Sequence, residues 1–345
     1  MPDDSLLLFV LVVAVALSFA FANGFNDAAN AIATVIGTRV LAPRTAIIMA
    51  AFLNLAGAAH GAATGARVAT TIGKGIVQPD GISLVTVMAG VAAASLWTFM
   101  ATRFGTPISV THSLVAGMLG AGLSAAGSGV IVWVKFWEVA VSVVIAPLLG
   151  FGVAFLAMVA LMWLFRSSAP DRVRGMFSNL QILSAAFMAY SHGKNDGQMP
   201  IGVIVLALTL SKAPGVLEYT KERGDLWESI PLVIVVISSL AISLGTALGG
   251  WRVIKTLGLR VTALRPVHGF AAEVSAASVI ELASHRGIPV STTHCISGAV
   301  MGVGATRRLS AVRWGVARNM VAAWVLTFPV CAGTGWLLNQ LFQSI

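Results

Sequence analysis

Two short patterns carry most of the chemistry in this chain, and each occurs twice in the same order. The first is Asn23-Gly24-Phe25-Asn26-Asp27, answered by Ser191-His192-Gly193-Lys194-Asn195-Asp196. Gly lets a helix break, and a break frees backbone carbonyls. Free carbonyls, an Asn amide oxygen and an Asp carboxylate together make a hard, oxygen-rich site that suits Na⁺, or a proton on the acid. Asn26, Asp27, Asn195 and Asp196 are therefore the expected cation ligands, and Na⁺ is the metal they would take. A buried Asn-Asp pair that caps a half-helix is the plainer alternative for one copy. Two copies at matching places weigh against it.

The second pattern is Thr106-Pro107-Ile108-Ser109-Val110-Thr111-His112, answered by Ile288-Pro289-Val290-Ser291-Thr292-Thr293-His294. Pro suits the first turn of a helix, and Ser or Thr caps it. A helix N-terminus presents unpaired N–H groups and a partial positive charge, and neighbouring hydroxyls add donors. That is an anion site, best matched to a tetrahedral oxyanion. Ser109, Thr111, Ser291, Thr292 and Thr293 are the expected contacts, with Val110 offering only its backbone N–H, and Asp27 and Asp196 lying alongside. A pair of ordinary helix caps is the alternative. The two kits complement each other. An anion alone is costly to bring out of water, and carboxylates alone would repel it. A cation held by Asp27 or Asp196 cancels that repulsion, so cation and oxyanion are expected to enter together.

Four further residues are accessory candidates. His112 and His294 could bond the substrate or relay protons, or be bonded within a helix bundle. Glu273 could be a third cation ligand, or the partner of His268 or Arg265. Lys194 could face the anion, or lower the local affinity for a cation.

These residues must be positioned by helices in a membrane. The chain has 345 residues, of which 57% are hydrophobic and 10% charged, against about 25% charged in a soluble domain. Too few charges remain to cover a soluble surface. An outer-membrane barrel would alternate apolar and polar residues, and this chain has long unbroken apolar runs instead. The net charge of +9 reads as basic membrane-side loops rather than as a nucleic-acid surface. Cys295 and Cys331 have no metal-ligand spacing and are too few for a disulfide framework. The first apolar run continues into the Asn-Asp motif, so it reads as a retained helix rather than a cleaved signal peptide.

The fold class expected is all-α and polytopic. Apolar runs lie at 6–37 and 180–210 (both interrupted), 44–64, 82–101, 106–124, 133–165, 230–250, 268–285, 288–306 and 319–344. Most can span at about 20 residues per crossing, and the runs at 106–124 and 288–306 read as re-entrant hairpins. The motifs are spaced 85 residues apart in the first half and 98 in the second. With about ten crossing elements, five per half, the second half enters the membrane upside down. The chain then divides into a first inverted repeat at 1–165, a short cytoplasmic linker at 166–179 and a second repeat at 180–345. With both termini outside, the inside segments hold 14 basic residues and the outside segments 7, the bias expected of a cytoplasmic face. Asp3, Asp4 and Glu228 are among the acids on the outside.

On its duplicated Gly-x-Asn-Asp and Pro-x-Ser-x-Thr-His motifs, the chain resembles the inorganic phosphate transporter (PiT) family over nearly its whole length. The resemblance implies symport of inorganic phosphate with Na⁺ or H⁺ across the cytoplasmic membrane, on two inverted repeats with broken helices and re-entrant hairpins. It implies a cation and substrate centre at Asp27, Asn26, Asp196 and Asn195. It implies phosphate ligands at Ser109, Thr111, Ser291, Thr292 and Thr293. The chain departs from the pattern at Val110, at Lys194, where a small residue is usual, and at Met199-Pro200, and it lacks the large central domain of some relatives.

The expected partners are phosphate, the co-transported cation, the lipid bilayer and, as an open option, a second copy of the chain. No cofactor is expected beyond the coupling ion. Sulfate fits the same physical argument. An anion channel would show passive flux instead. An intramembrane hydrolase built on Ser109, His112 and Asp27 would leave the duplication without a reason. No Walker-type motif is present, so the expected driving force is an ion gradient. Asp27→Asn should insert normally and lose concentrative uptake, as measured with labelled substrate in intact cells.

Overall fold

The computed structural model describes residues 4–227 and 230–344. Asp3 and Glu228, used in the charge count above, lie outside the described residues, as do the side chains of Asp4 and Arg223. The described chain is helical throughout. Its helices are α1 (Asp4–Gly37), α2 (Pro43–Ala63), α3 (Arg67–Gly75), α4 (Leu84–Phe104), α5 (Val110–Ala126), α6 (Trp133–Leu164) and α7 (Pro170–Asp196). These are followed by α8 (Gln198–Leu210), α9 (Pro214–Arg223), α10 (Leu232–Leu248), α11 (Trp251–Lys255), α12 (Pro266–His285), α13 (Thr292–Ala305) and α14 (Trp314–Gln343). A π-helical turn at Thr256–Arg260 extends α11.

Among the described residues, α1, α2, α4, α6 and α14 are long and apolar enough to cross a membrane. Two further segments qualify as bent pairs. One runs from Pro170 through α8 and turns by 108° into α9, and the other bends by 59° between α10 and α11. The helices that begin at the second motif, α5 and α13, are 17 and 14 residues long. The exposed large side chains are mostly Leu, Val, Ile and Trp on α6, α10 and α14, an apolar exterior suited to lipid. The segment 166–179, read above as a linker, is mostly the first turns of α7, because Pro170 sits at the start of that helix where its missing N–H costs nothing.

Packing runs in matched pairs. Helix α5 lies against α14, and α13 lies against α6. Helix α2 lies against α7, and α10 against α1. Helix α4 contacts α1 and α5, as α12 contacts α7 and α13. Each of these contacts thus has a counterpart in the other half.

One expectation needs correction. Gly24 does not break its helix, since α1 is continuous from Asp4 to Gly37. Gly24 serves close approach instead. A Cβ there would sit 1.9 Å from the carbonyl oxygen of Ile242 on α10. Gly193, its counterpart, would put a Cβ 2.3 Å from the carbonyl oxygen of Asn54 on α2. Backbone packs on backbone at both places, as small residues allow between membrane helices. The missing side chain therefore seats the Asn-Asp pair rather than freeing carbonyls. Gly24→Ala and Gly193→Ala should each lower thermal stability by about 1–3 kcal/mol, while Gly152→Ala, with nothing within 4 Å of the added carbon, should be neutral. Fluorescence-detected unfolding of the purified variants measures the difference.

Candidate functional site

Helices α1 and α7 bring Asp27 and Asp196 together in the interior, each 1% exposed. The imidazole of His192 lies between them, with Nε2 3.3 Å from Asp196 Oδ2 and 3.6 Å from Asp27 Oδ2. The ligand atoms of the three side chains all lie within 4.8 Å of one another. The start of α13 closes on the same point. Thr293 Oγ1 donates to Asp27 Oδ1 at 2.9 Å. Thr292 Oγ1 lies 3.3 Å from Asp27 Oδ2 and 3.4 Å from Asp196 Oδ2. Asn30 Nδ2 donates to both threonine hydroxyls, at 3.1 and 3.0 Å. Residues from 262 to 266 positions apart in the chain thus form one network.

Both asparagines of the motif are pinned by their amide nitrogens. Asn26 Nδ2 donates to Thr102 Oγ1 at 2.7 Å. Asn195 Nδ2 donates to Asp196 Oδ1 at 2.7 Å and to the Val290 carbonyl at 3.2 Å. Their amide oxygens, with those of Asn23 and Asn30, are buried and have no hydrogen-bond partner. Unmatched buried acceptors are costly. Buried amide oxygens left open beside carboxylates in the sequence are the ligands that a small, oxygen-seeking cation takes.

Ser109 and Ser291 behave alike. Each caps its helix, its hydroxyl accepting from the backbone N–H of His112 or His294 at 3.1 Å. The capped helices leave their first N–H groups free, as any α-helix must. The two hairpins differ in what they touch. Among the described residues no hydrogen bond links Ser109, Val110 or Thr111 to either aspartate, although all three are buried.

The sequence pattern RVxxT occurs in both halves, at Arg67-Val68-Ala69-Thr70-Thr71 and at Arg252-Val253-Ile254-Lys255-Thr256. It holds the chain that leads into each hairpin. Arg67 Nη1 donates to the His285 carbonyl, and Thr71 Oγ1 donates to the Gly287 carbonyl at 2.9 Å. In the other half Arg252 Nη1 donates to the Arg103 carbonyl at 2.5 Å, and Thr256 Oγ1 to the Gly105 carbonyl at 2.8 Å. Gly105 and Gly287 have φ of +72° and +70°, backbone that favours glycine. Each hairpin is therefore braced at two carbonyls ahead of its proline.

Among the described residues, none of the accessory candidates bonds either aspartate. His112 bonds Ser142 Oγ at 3.0 Å, and its ring centre is 4.9 Å from that of His294. The His294 ring is 4.0 Å from that of Trp324. The pair packs into the bundle between α5, α6, α13 and α14. Glu273 is fully buried, with Thr34, Ser184 and Gln181 donating to it. Its partners are not His268 or Arg265: His268 Nδ1 accepts from the Arg265 backbone N–H at 3.1 Å. Lys194 pairs with Glu281 at 2.6 Å.

A profile described as the phosphate transporter family matches residues 23–335. The chain belongs to that family. It is 41% identical to a probable low-affinity inorganic phosphate transporter of Rhizobium meliloti, over 94% of this chain and 93% of that one. It is 36% identical to a protein of the same description from Bacillus subtilis, over 99% and 100% of the two chains. A solved structure described as the sodium-dependent phosphate transporter superposes with a TM-score of 0.87 at 28% identity, covering 98% of this chain and 99% of that one.

For a member of the phosphate transporter family, the histidine between the carboxylates is the residue most easily missed. The signal was its position four residues before Asp196, which puts both side chains on one face of a helix. Asn54, on α2, completes the arrangement: its Oδ1 lies 2.5 Å from His192 Nδ1 and its Nδ2 3.4 Å from Thr246 Oγ1. His192→Phe strips partners from Asn54 and both aspartates. It should lower the unfolding free energy by about 1–3 kcal/mol, with a smaller loss in His192→Gln, read from thermal unfolding in one detergent.

Proposed function

We propose that the chain is a secondary active symporter that moves inorganic phosphate together with Na⁺ across the cytoplasmic membrane. The observation that carries this reading is the convergence of Asp27 and Asp196 on the hydroxyls of Thr292 and Thr293 at the start of α13. Hydroxyls that donate to carboxylates can donate to a phosphate oxygen once a cation occupies the carboxylates. The four unmatched amide oxygens favour Na⁺ over a bare proton, which needs only one carboxylate. The named function of the relatives supports the same substrate.

In this reading Asn26, Asp27, Asn195 and Asp196 hold the cation. Ser291, Thr292 and Thr293 bind phosphate from one hairpin, and Ser109, Thr111 and the Val110 N–H from the other. Glu273 ties α12 to α1 and α7 and stands as an accessory cation position. The matched packing pairs favour two repeats around the site, and this reading takes them as inverted, with ten crossing elements and both termini outside. The hairpin of α13 is engaged with the carboxylates and that of α5 is not, an asymmetry expected of a state open to one side only.

Reconstituted vesicles test the assignment. An inward Na⁺ gradient at equal pH should drive accumulation of labelled phosphate above its equilibrium level, and an Na⁺ ionophore should abolish it. Accumulation driven only by a pH gradient would replace Na⁺ with H⁺. Sulfate accumulating in place of phosphate would change the substrate, and passive equilibration alone would make the protein a channel.

A further inference from the structure

A cleft of about 240 Å³ opens between α2, α7, α12 and the start of α3, lined in part by His60, Arg67, Lys194, Gln198, Ser284 and His285. It adjoins the central site without containing the aspartates. Lys194 immediately precedes Asn195 and Asp196, and the segment after His285 runs straight into Val290 and the Thr292-Thr293 hairpin. Arg67 and Lys194 bring positive charge, and the two imidazoles bring further ring nitrogens. One carboxylate faces this charge: Glu281 Oε2, 2.6 Å from Lys194 Nζ, with the two side chains 22% and 19% exposed. The other oxygen of Glu281 is buried without a hydrogen-bond partner. So is the hydroxyl of Ser284, a residue 4% exposed that lines the cleft. The site therefore offers a lysine held by a half-satisfied acid, a free hydroxyl and a guanidinium.

A lysine is a compact charge on a flexible stem that can swing between two anions. A tetrahedral oxyanion in the cleft would compete with Glu281 for it. The Arg67 guanidinium spends one Nη on the His285 carbonyl, and its fork holds further donors. The counterpart mouth, where Arg252, Lys255 and Arg260 line a second cleft with Phe104 and Gly105, is basic too. Clefts lined by one sign of charge raise the local concentration of an oppositely charged ligand.

We propose that the cleft is a loading site for the free oxyanion, where Lys194 exchanges Glu281 for the incoming phosphate before the anion passes to the hairpin hydroxyls. This rests on the phosphate symport reading and on the orientation with both termini outside, which opens the cleft to the exterior. Glu281 is then a restraint on loading, and the two partners of the ion pair have opposite effects on the apparent affinity.

The test is the dependence of Na⁺-driven uptake on external phosphate in the same vesicles. Lys194→Met should raise KM by about 3- to 10-fold with the maximal rate within about twofold of wild type, while Glu281→Gln should lower KM by about 2-fold or more. Lys194→Arg should keep KM near wild type. A merely structural brace would move both single variants in the same direction, with Lys194→Met/Glu281→Gln recovering, and that result overturns the proposal. Unchanged KM in both single variants overturns it as well, including the case where a lipid head group fills the cleft. Failure of the wild-type protein to accumulate phosphate would instead remove the symport reading itself.

Discussion

The structure depends on two carboxylates held beside each other where water does not reach. On membrane-insertion scales a charged side chain at the bilayer centre costs about 2.5–3.5 kcal/mol, and like charges in contact add to that. Nothing in the apolar exterior offsets the cost. The offset comes from His192 between the aspartates and from the hydroxyls of Thr292 and Thr293. The helices are arranged so that α1, α7 and α13 meet at this point, and α2 supports it from behind through Asn54. Removing one member leaves the others buried without partners, the situation most damaging to a low-dielectric interior.

The Asn-Asp pairs and the Ser/Thr hairpins were legible in the sequence because each occurs twice and because their chemistry is out of place in an apolar run. Their meeting was not legible in detail. Spacing along the chain relates Asp27 to Ser109 within one half, whereas the observed bonds join Asp27 to Thr292 and Thr293 in the other half. Only the packing of α1 against α13 decides that. Gly24 shows a different limit. A glycine beside a polar pair fits a helix break and a close helix crossing equally well, and the discriminating information is the Ile242 carbonyl on a distant helix. The arginine and threonine that brace each hairpin were visible as a repeat, but nothing in their types says that they reach backbone carbonyls.

Composition set the fold class by simple scarcity of charge. Orientation and the number of crossings lie further from the sequence. A basic bias across the loops speaks only to the balance of the two faces. Short helices such as α5 and α13 are too brief for a length criterion, and α9 turns sharply away from the segment before it.

The backbone-to-backbone seams at Gly24 and Gly193 have a mechanical corollary. At these two points no side chain separates α1 from α10 or α7 from α2, so neither couple has a compressible layer at its closest approach. Each seam lies three residues before an aspartate, Asp27 or Asp196, and so ties that carboxylate to the helix its glycine packs on. A relative movement of α1 and α10, or of α7 and α2, would have to pivot at these points rather than slide across them.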